Sequence, residues 1–198
     1  RVTHHPMPDR IVDWYPDGRS LLIATAMEAG RQRYNQFFKV PATGGLPERL
    51  PVPYGEFGAI SPDGRTLAYM PMAQDFRTWK RYRGGWAPDI WTFDLQTLAS
   101  QNITNFEGND AHPMWRGRTM YFLSDRDSAQ RNNIWKYDLD TRQFRAVTRF
   151  TDFDVTFPAI GPSDIVFEAG GRLYLLDLAT EQSREVNVTV LTDLATLR

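Results

Sequence analysis

The sequence predicts an all-β protein, a β-propeller fragment of about four antiparallel four-stranded blades. Three observations predict it: a turn signature that recurs in frame, strands that are apolar on both faces, and a later strand that ends each time in an Asp-led turn. Tyr15-Pro16-Asp17-Gly18-Arg19 and Ser61-Pro62-Asp63-Gly64-Arg65 lie 46 positions apart, each between apolar runs. Proline presets φ at the second turn position, aspartate bonds the local backbone and glycine closes the turn, so each reads as a tight hairpin. Trp115-Arg116-Gly117-Arg118 and Gly161-Pro162-Ser163-Asp164 fill the same slot with different turn chemistry.

After each turn comes a short apolar strand: Leu21-Leu22-Ile23-Ala24, Leu67-Ala68-Tyr69-Met70, Met120-Tyr121-Phe122-Leu123 and Ile165-Val166-Phe167. Consecutive apolar residues point to opposite faces, so these strands must be covered on both sides. The next strand recurs as Ile90-Trp91-Thr92-Phe93-Asp94, Ile134-Trp135-Lys136-Tyr137-Asp138 and Leu173-Tyr174-Leu175-Leu176-Asp177, with Phe37-Phe38-Lys39-Val40 as its weaker form. A last strand is read at Asn102-Ile103-Thr104-Asn105-Phe106 and Ala146-Val147-Thr148-Arg149-Phe150, and Arg1-Val2-Thr3-His4-His5 shares its frame. Four short strands every 40 to 50 residues or so make a propeller blade, and blades bury their faces only against one another.

The frame places residues 1–9 as the last strand of a truncated preceding blade, with blades at 10–54, 55–108, 109–152 and 153–188. Residues 189–198 read as the start of a linker to a following domain. A β-sandwich is the structural competitor, since it too uses short strands and frequent turns, but it has no reason to repeat in frame. Thirteen prolines and fourteen glycines interrupt any helical period.

Composition excludes more than it identifies. With 23 basic and 24 acidic side chains the net charge is -1, which calls for neither nucleic acid nor an anionic membrane. No apolar run reaches the roughly 20 residues needed to cross a bilayer, so no membrane insertion is expected. Absence of cysteine excludes disulfides and thiol chemistry. No Gly-x-Ser-x-Gly elbow occurs, and no catalytic residue is expected in the chain. His4 and His5 are adjacent on a strand and point apart, so metal binding is not expected of them, and His112 reads as a blade-entry turn. The carboxylates of Ser124-Asp125-Arg126-Asp127 and Thr151-Asp152-Phe153-Asp154 read as local backbone acceptors, without calcium-loop spacing. No cofactor is expected.

One segment breaks the period. Residues 74–88 lengthen the step from Gly64 to Gly117 to 53 residues, and they carry Arg77, Trp79, Lys80, Arg81, Tyr82, Arg83 and Trp86 against the single acid Asp75. Interleaved cations and aromatics can hold a carboxylate or a phosphate, which makes this insertion the candidate site for a peptide carboxylate or a partner. The alternative is a long hairpin that packs its aromatics on the propeller and leaves its cations solvated.

Trp79-Lys80-Arg81-Tyr82-Arg83-Gly84-Gly85-Trp86, Tyr121-Phe122-Leu123-Ser124-Asp125-Arg126, Phe150-Thr151-Asp152-Phe153-Asp154-Val155 and Gly170-Gly171-Arg172-Leu173-Tyr174 together resemble the N-terminal six-bladed propeller of the tricorn protease family. The resemblance implies a non-catalytic propeller attached to a serine peptidase, with a second propeller, a PDZ domain and the peptidase domain elsewhere in the polypeptide. It further implies peptides as partners, a homo-oligomeric full-length protein, and a role as filter, channel and assembly scaffold. The expected compartment is the cytoplasm, with the bacterial periplasm as the alternative. A competing function is a TolB-like protein-binding propeller with no peptidase attached, and a third is a hydrolase whose acidic side chains gather at the propeller axis.

Overall fold

A computed structural model describes residues 1–30, 34–73, 75, 80–189 and 191. Among the described residues sixteen strands form four separate four-stranded antiparallel sheets, each made of consecutive strands. The first blade holds β1 (Asp9–Trp14), β2 (Ser20–Thr25), β3 (Gln36–Pro41) and β4 (Glu48–Arg49). The second holds β5 (Phe57–Ile60), β6 (Thr66–Met70), β7 (Trp91–Asp94) and β8 (Ser100–Asn102). The third holds β9 (Asp110–Arg116), β10 (Thr119–Ser124), β11 (Asn133–Asp138) and β12 (Phe144–Ala146). The fourth holds β13 (Val155–Ile160), β14 (Asp164–Ala169), β15 (Arg172–Asp177) and β16 (Ser183–Glu185). Strands of one sheet never exchange with another, which rules out a sandwich and makes this a β-propeller arrangement.

The hairpins form for the reasons their residues suggest. Gly18 and Gly64 take φ of 63° and 73°, and their amides donate to the carbonyls of Tyr15 and Ser61. Asp17 and Asp63 accept from the backbone amides of Arg19 and Arg65 across each turn. A second device recurs at the far end of the third strand: Asp94, Asp138 and Asp177 each accept from two backbone amides just downstream. Four residues after each of these, Leu98, Arg142 and Glu181 take positive φ to close the turn.

A third repeated device fastens the end of each middle blade. Thr104 Oγ1 accepts from the Ile90 amide and donates to Asp89, which also accepts from the Phe106 amide. In the next blade Thr148 does the same for Ile134, and Asn133 replaces the aspartate and takes the Phe150 amide. The Thr-x-Phe frame read from the sequence is therefore a backbone clasp that follows the fourth strand. Residues 1–8, which share that frame, run without a strand partner among the described residues, and Thr3 hydrogen-bonds Asp9.

Alternation puts the two faces of each blade to different uses. Leu22, Ala24 and Phe37 pack on Ile60, Leu67 and Tyr69 between the first and second blades. Ala68 and Ile90 pack on Met120 and Phe122 between the second and third, and Tyr121, Leu123 and Ile134 pack on Ile165 and Phe167 between the third and fourth. Leu21, Ile23, Phe38 and Val40, on the remaining face of the first blade, lie under Val2, Met27 and Ala42. Many of these side chains are wholly buried, so truncating one, as in Phe122→Ala, costs about 3–5 kcal/mol. First strands neighbour first strands, with β1 against β5, β5 against β9 and β9 against β13, so together they make the axial wall.

Candidate functional site

Of the seven insertion residues, Arg77 and Trp79 lie outside the described residues, as do Gln74, Phe76 and Thr78. The described part crosses the end of the second blade onto the third and fourth. Tyr82 and Trp86 are exposed, and the arginines are the side chains that dock. This differs from a hairpin that packs its rings and frees its cations, because the buried Asp125 and the partly buried Asp154 lie on the neighbouring blades.

Arg83 reaches Asp125 at 3.4 Å and lies 5.4 Å from the centre of the Phe106 ring. Asp125 is almost wholly buried and also accepts from the backbone and side-chain amides of Asn109, at 2.9 and 2.8 Å. Beside it, Arg126 binds Asp110 at 2.6 Å and Ser124 at 2.9 Å, inside a cage of Phe106, Phe122, Trp135 and Phe144. Burial is the largest influence on Asp110 and pushes it up to about 6, against the pull of Arg126. Arg83 thus anchors the insertion to the third blade.

Arg81 sits two residues earlier and stays at the surface. Its Nε donates to the Gln130 carbonyl at 3.1 Å, and Nη2 is 3.3 Å from Asp154. Asp154 also accepts from the Asn132 amide at 3.0 Å. Asp125 and Asp154 are therefore acceptors between distant segments, which corrects their reading as local turn acceptors. Asp127 does act locally, through the Ala129 amide.

Lys80 and Arg81 rim a cavity of about 270 Å³ that also touches Asn109, Asn132 and Asp154. The buried side-chain oxygen of Asn109 has no hydrogen-bond partner there. A second cavity, of about 460 Å³, runs along the axial wall past Ile11, Trp14, Phe57, Met114 and Ile160. Asp75, His112 and Phe157 line both, so the two cavities adjoin across these side chains. His112 Nε2 is 2.6 Å from Asp75, and the His112 ring lies 4.4 Å from that of Phe57. Burial opposes ionisation of Asp75, but the bond and charge of His112 outweigh it and hold that carboxyl below its ordinary value.

The sequence did not signal the axial role of His112, Phe157, Ile11 or Trp14, and only the first two carried a mark, the proline that follows each inside its strand. At the other end of the wall, Asp13 accepts from the Trp14 amide at 2.8 Å and the Ile60 amide at 3.3 Å. Among the described residues no three His, Asp or Glu side chains gather as a metal site requires, and no helix is long and apolar enough to cross a membrane.

Four successive blades, with a cavity running along their first strands, define this chain as a β-propeller domain. Residues 1–182 match the family described as the tricorn protease N-terminal beta propeller domain, and the chain belongs to that family. A tricorn protease homolog of Saccharolobus solfataricus is 24% identical over 184 residues, covering 93% of this chain and 17% of the relative. This chain thus spans about a sixth of that curated relative. The crystal structure of the tricorn protease superposes with a TM-score of 0.56 at 21% identity, covering 91% of this chain and 22% of that one. TolB from Acinetobacter baumannii superposes with a TM-score of 0.70 at 19% identity, covering 93% of this chain and 45% of that one. At such identities the structural likenesses show the fold alone, and the family rests on the sequence match.

Proposed function

We propose that this chain is the non-catalytic propeller of a tricorn-like serine peptidase that degrades peptides, and that its axial wall guides peptides as a filter or channel. The peptidase chemistry, a PDZ domain and the contacts of a homo-oligomer would lie in other parts of the polypeptide, which the domain serves as a scaffold. The cytoplasm is the proposed compartment.

One observation carries this reading: Lys80 and Arg81 rim a cavity that adjoins the axial one across Asp75, His112 and Phe157. A guanidinium has five N–H donors in a fixed fork, and Arg81 commits two groups of them to Gln130 and Asp154. Lys80 is exposed and has no acidic partner among the described residues. A peptide carboxylate arriving along the wall would meet both cations, and charge-assisted bonds to it are the strong kind. A folded domain would be excluded by the width of the passage.

The test is charge reversal at Lys80 and Arg81 in the intact protein. Arg83 is unsuitable, since its reversal would set two carboxylates face to face at the buried Asp125, whereas Asp154 beside Arg81 is partly exposed and keeps Arg131 nearby. Lys80→Glu with Arg81→Glu should slow turnover of free-acid peptides about tenfold, the worth of one charge-assisted pair near 1.4 kcal/mol. Unchanged turnover and product lengths would remove the peptide reading. An intact protein without peptidase activity would favour a TolB-like binding propeller.

A further inference from the structure

Three strands of the axial wall carry one extra residue, β1 between Ile11 and Asp13 among them, and the other two share a further feature. Strand β9 has an extra residue between Ala111 and Met114 relative to β10, and β13 has one between Thr156 and Ala159 relative to β14. Each bulge is built on a residue followed by proline, His112-Pro113 and Phe157-Pro158. His112 takes φ of 54° and Phe157 φ of 50°. Proline sterically pushes its predecessor toward extended backbone, and left-handed φ is unfavourable for a bulky side chain. The same strained geometry thus recurs at the same place in two successive blades. Strain of this kind persists where the surroundings impose it, and it concentrates at ligand-contacting positions.

What the strain achieves is visible at Phe157. A regular strand would turn successive side chains to alternate faces, whereas the extra residue re-aims this ring toward the axis. Phe157 is 67% exposed and fills no core. From β1, Ile11 and Trp14 face the same cavity and are 61% and 54% exposed. Three large apolar groups are left open to the axial cavity, and Phe157 also lines the adjoining one, where Asp75, Asp125 and Asp154 each have a partner in His112, Arg83 or Arg81 while Lys80 is exposed at the rim.

We propose that Phe157, held out by its bulge, is a specificity determinant that receives the apolar last side chain of an extended peptide. This rests on the reading above, in which Lys80 and Arg81 hold the carboxylate of that peptide. Charge complementarity sets the direction, with the carboxylate at the insertion and the body of the peptide along the axial wall. The ligand class is therefore a short peptide with a free C-terminus and an aliphatic or aromatic terminal residue. His112 is placed as a positioning residue. Its bulge matches that of Phe157, and its ring, held by Asp75 and Phe57, forms the wall between the two cavities.

The experiment is a titration of the intact protein with N-terminally labelled tetrapeptides ending in Leu or Ser, each as free acid and as amide. Wild type should bind the Leu acid about tenfold more tightly than the Ser acid, as burial of one aliphatic side chain supplies. Phe157→Gly should reduce that ratio to about twofold or less while raising Tm by about 2–4 °C, because glycine releases the left-handed strain. Phe157→Ala should lose the ratio without the gain in Tm. Equal affinity for Leu and Ser peptides, or a ratio unchanged in Phe157→Gly, would overturn the proposal and leave the carboxylate reading standing. Equal affinity for acid and amide would instead overturn the carboxylate reading beneath it, and with it the assigned end of the peptide.

Discussion

Strands β5 and β13 hold the same place in their blades and offer the axis different surfaces. β5 is regular, pairing Phe57 with Met70 through Ile60 with Leu67 without interruption. Its Gly58 has no room behind it, since an added Cβ would meet the Ala68 carbonyl and a Leu67 methyl at 3.0 Å and Phe37 at 3.3 Å. In β13 the bulge at Phe157-Pro158 breaks the pairing and projects a ring. The wall's chemistry is therefore decided by one extra residue and a proline, and the alternation pattern common to all blades does not specify it.

The comparison can be broken hardest where the insertion meets the bulged side. An added Cβ at Gly108 would fall on the positions of Arg83, Asp125 and Phe106. Gly108→Ala should displace Arg83 and leave Asp125 buried without its cation, at a cost of about 3 kcal/mol by denaturant unfolding. On the regular side the wall is merely crowded. Gly58→Ala should cost about 1–2 kcal/mol from overpacking, read by the same measurement. Equal losses at the two glycines would mean that Arg83 is not the anchor.

A pH experiment sharpens the contrast at the joint between β1 and β5. Asp13 is pushed up to about 6, chiefly by burial and against the amides of Trp14 and Ile60 that favour its charge. Between its ordinary value of 3.8 and about 6, the folded state holds a proton there that the unfolded chain releases. Stability from this group is fully present below the ordinary value and is lost as pH rises through about 6. Asp13→Asn should therefore flatten part of the fall in urea midpoint between pH 4.5 and 7, while Asp110 contributes its own slope to both proteins. Parallel curves would show that Asp13 is not desolvated. The smallest effect belongs to Arg118, whose pair with Asp140 is exposed on both sides. Arg118→Ala should change stability by less than about 0.5 kcal/mol.

Much of the fold was legible because its devices are local. Asp17, Asp63, Asp94, Asp138 and Asp177 bond backbone within three residues, so their turns are written in neighbouring letters. The doubly apolar strands disclosed blades packed on both faces, as Leu21 to Ala24 show. The site was less legible because its partners lie far apart in the chain. Nothing near Arg83 announces Asp125, and nothing near Arg81 announces Asp154. The cations of the insertion could be identified, but not which of them is an anchor and which a rim. Phe157 carried one visible signal, a proline inside a strand, and that signal becomes informative only once the strand is known to face the axis.

The account turns on a peptide end lying at Lys80 and Arg81 with its last side chain against Phe157. Crystals of the intact protein soaked with a free-acid tetrapeptide ending in Leu test this most directly. The carboxylate should lie within hydrogen-bond distance of both cations, with the leucine on the Phe157 ring. A bound peptide seated elsewhere, or one whose N-terminus faces Arg81, would contradict it.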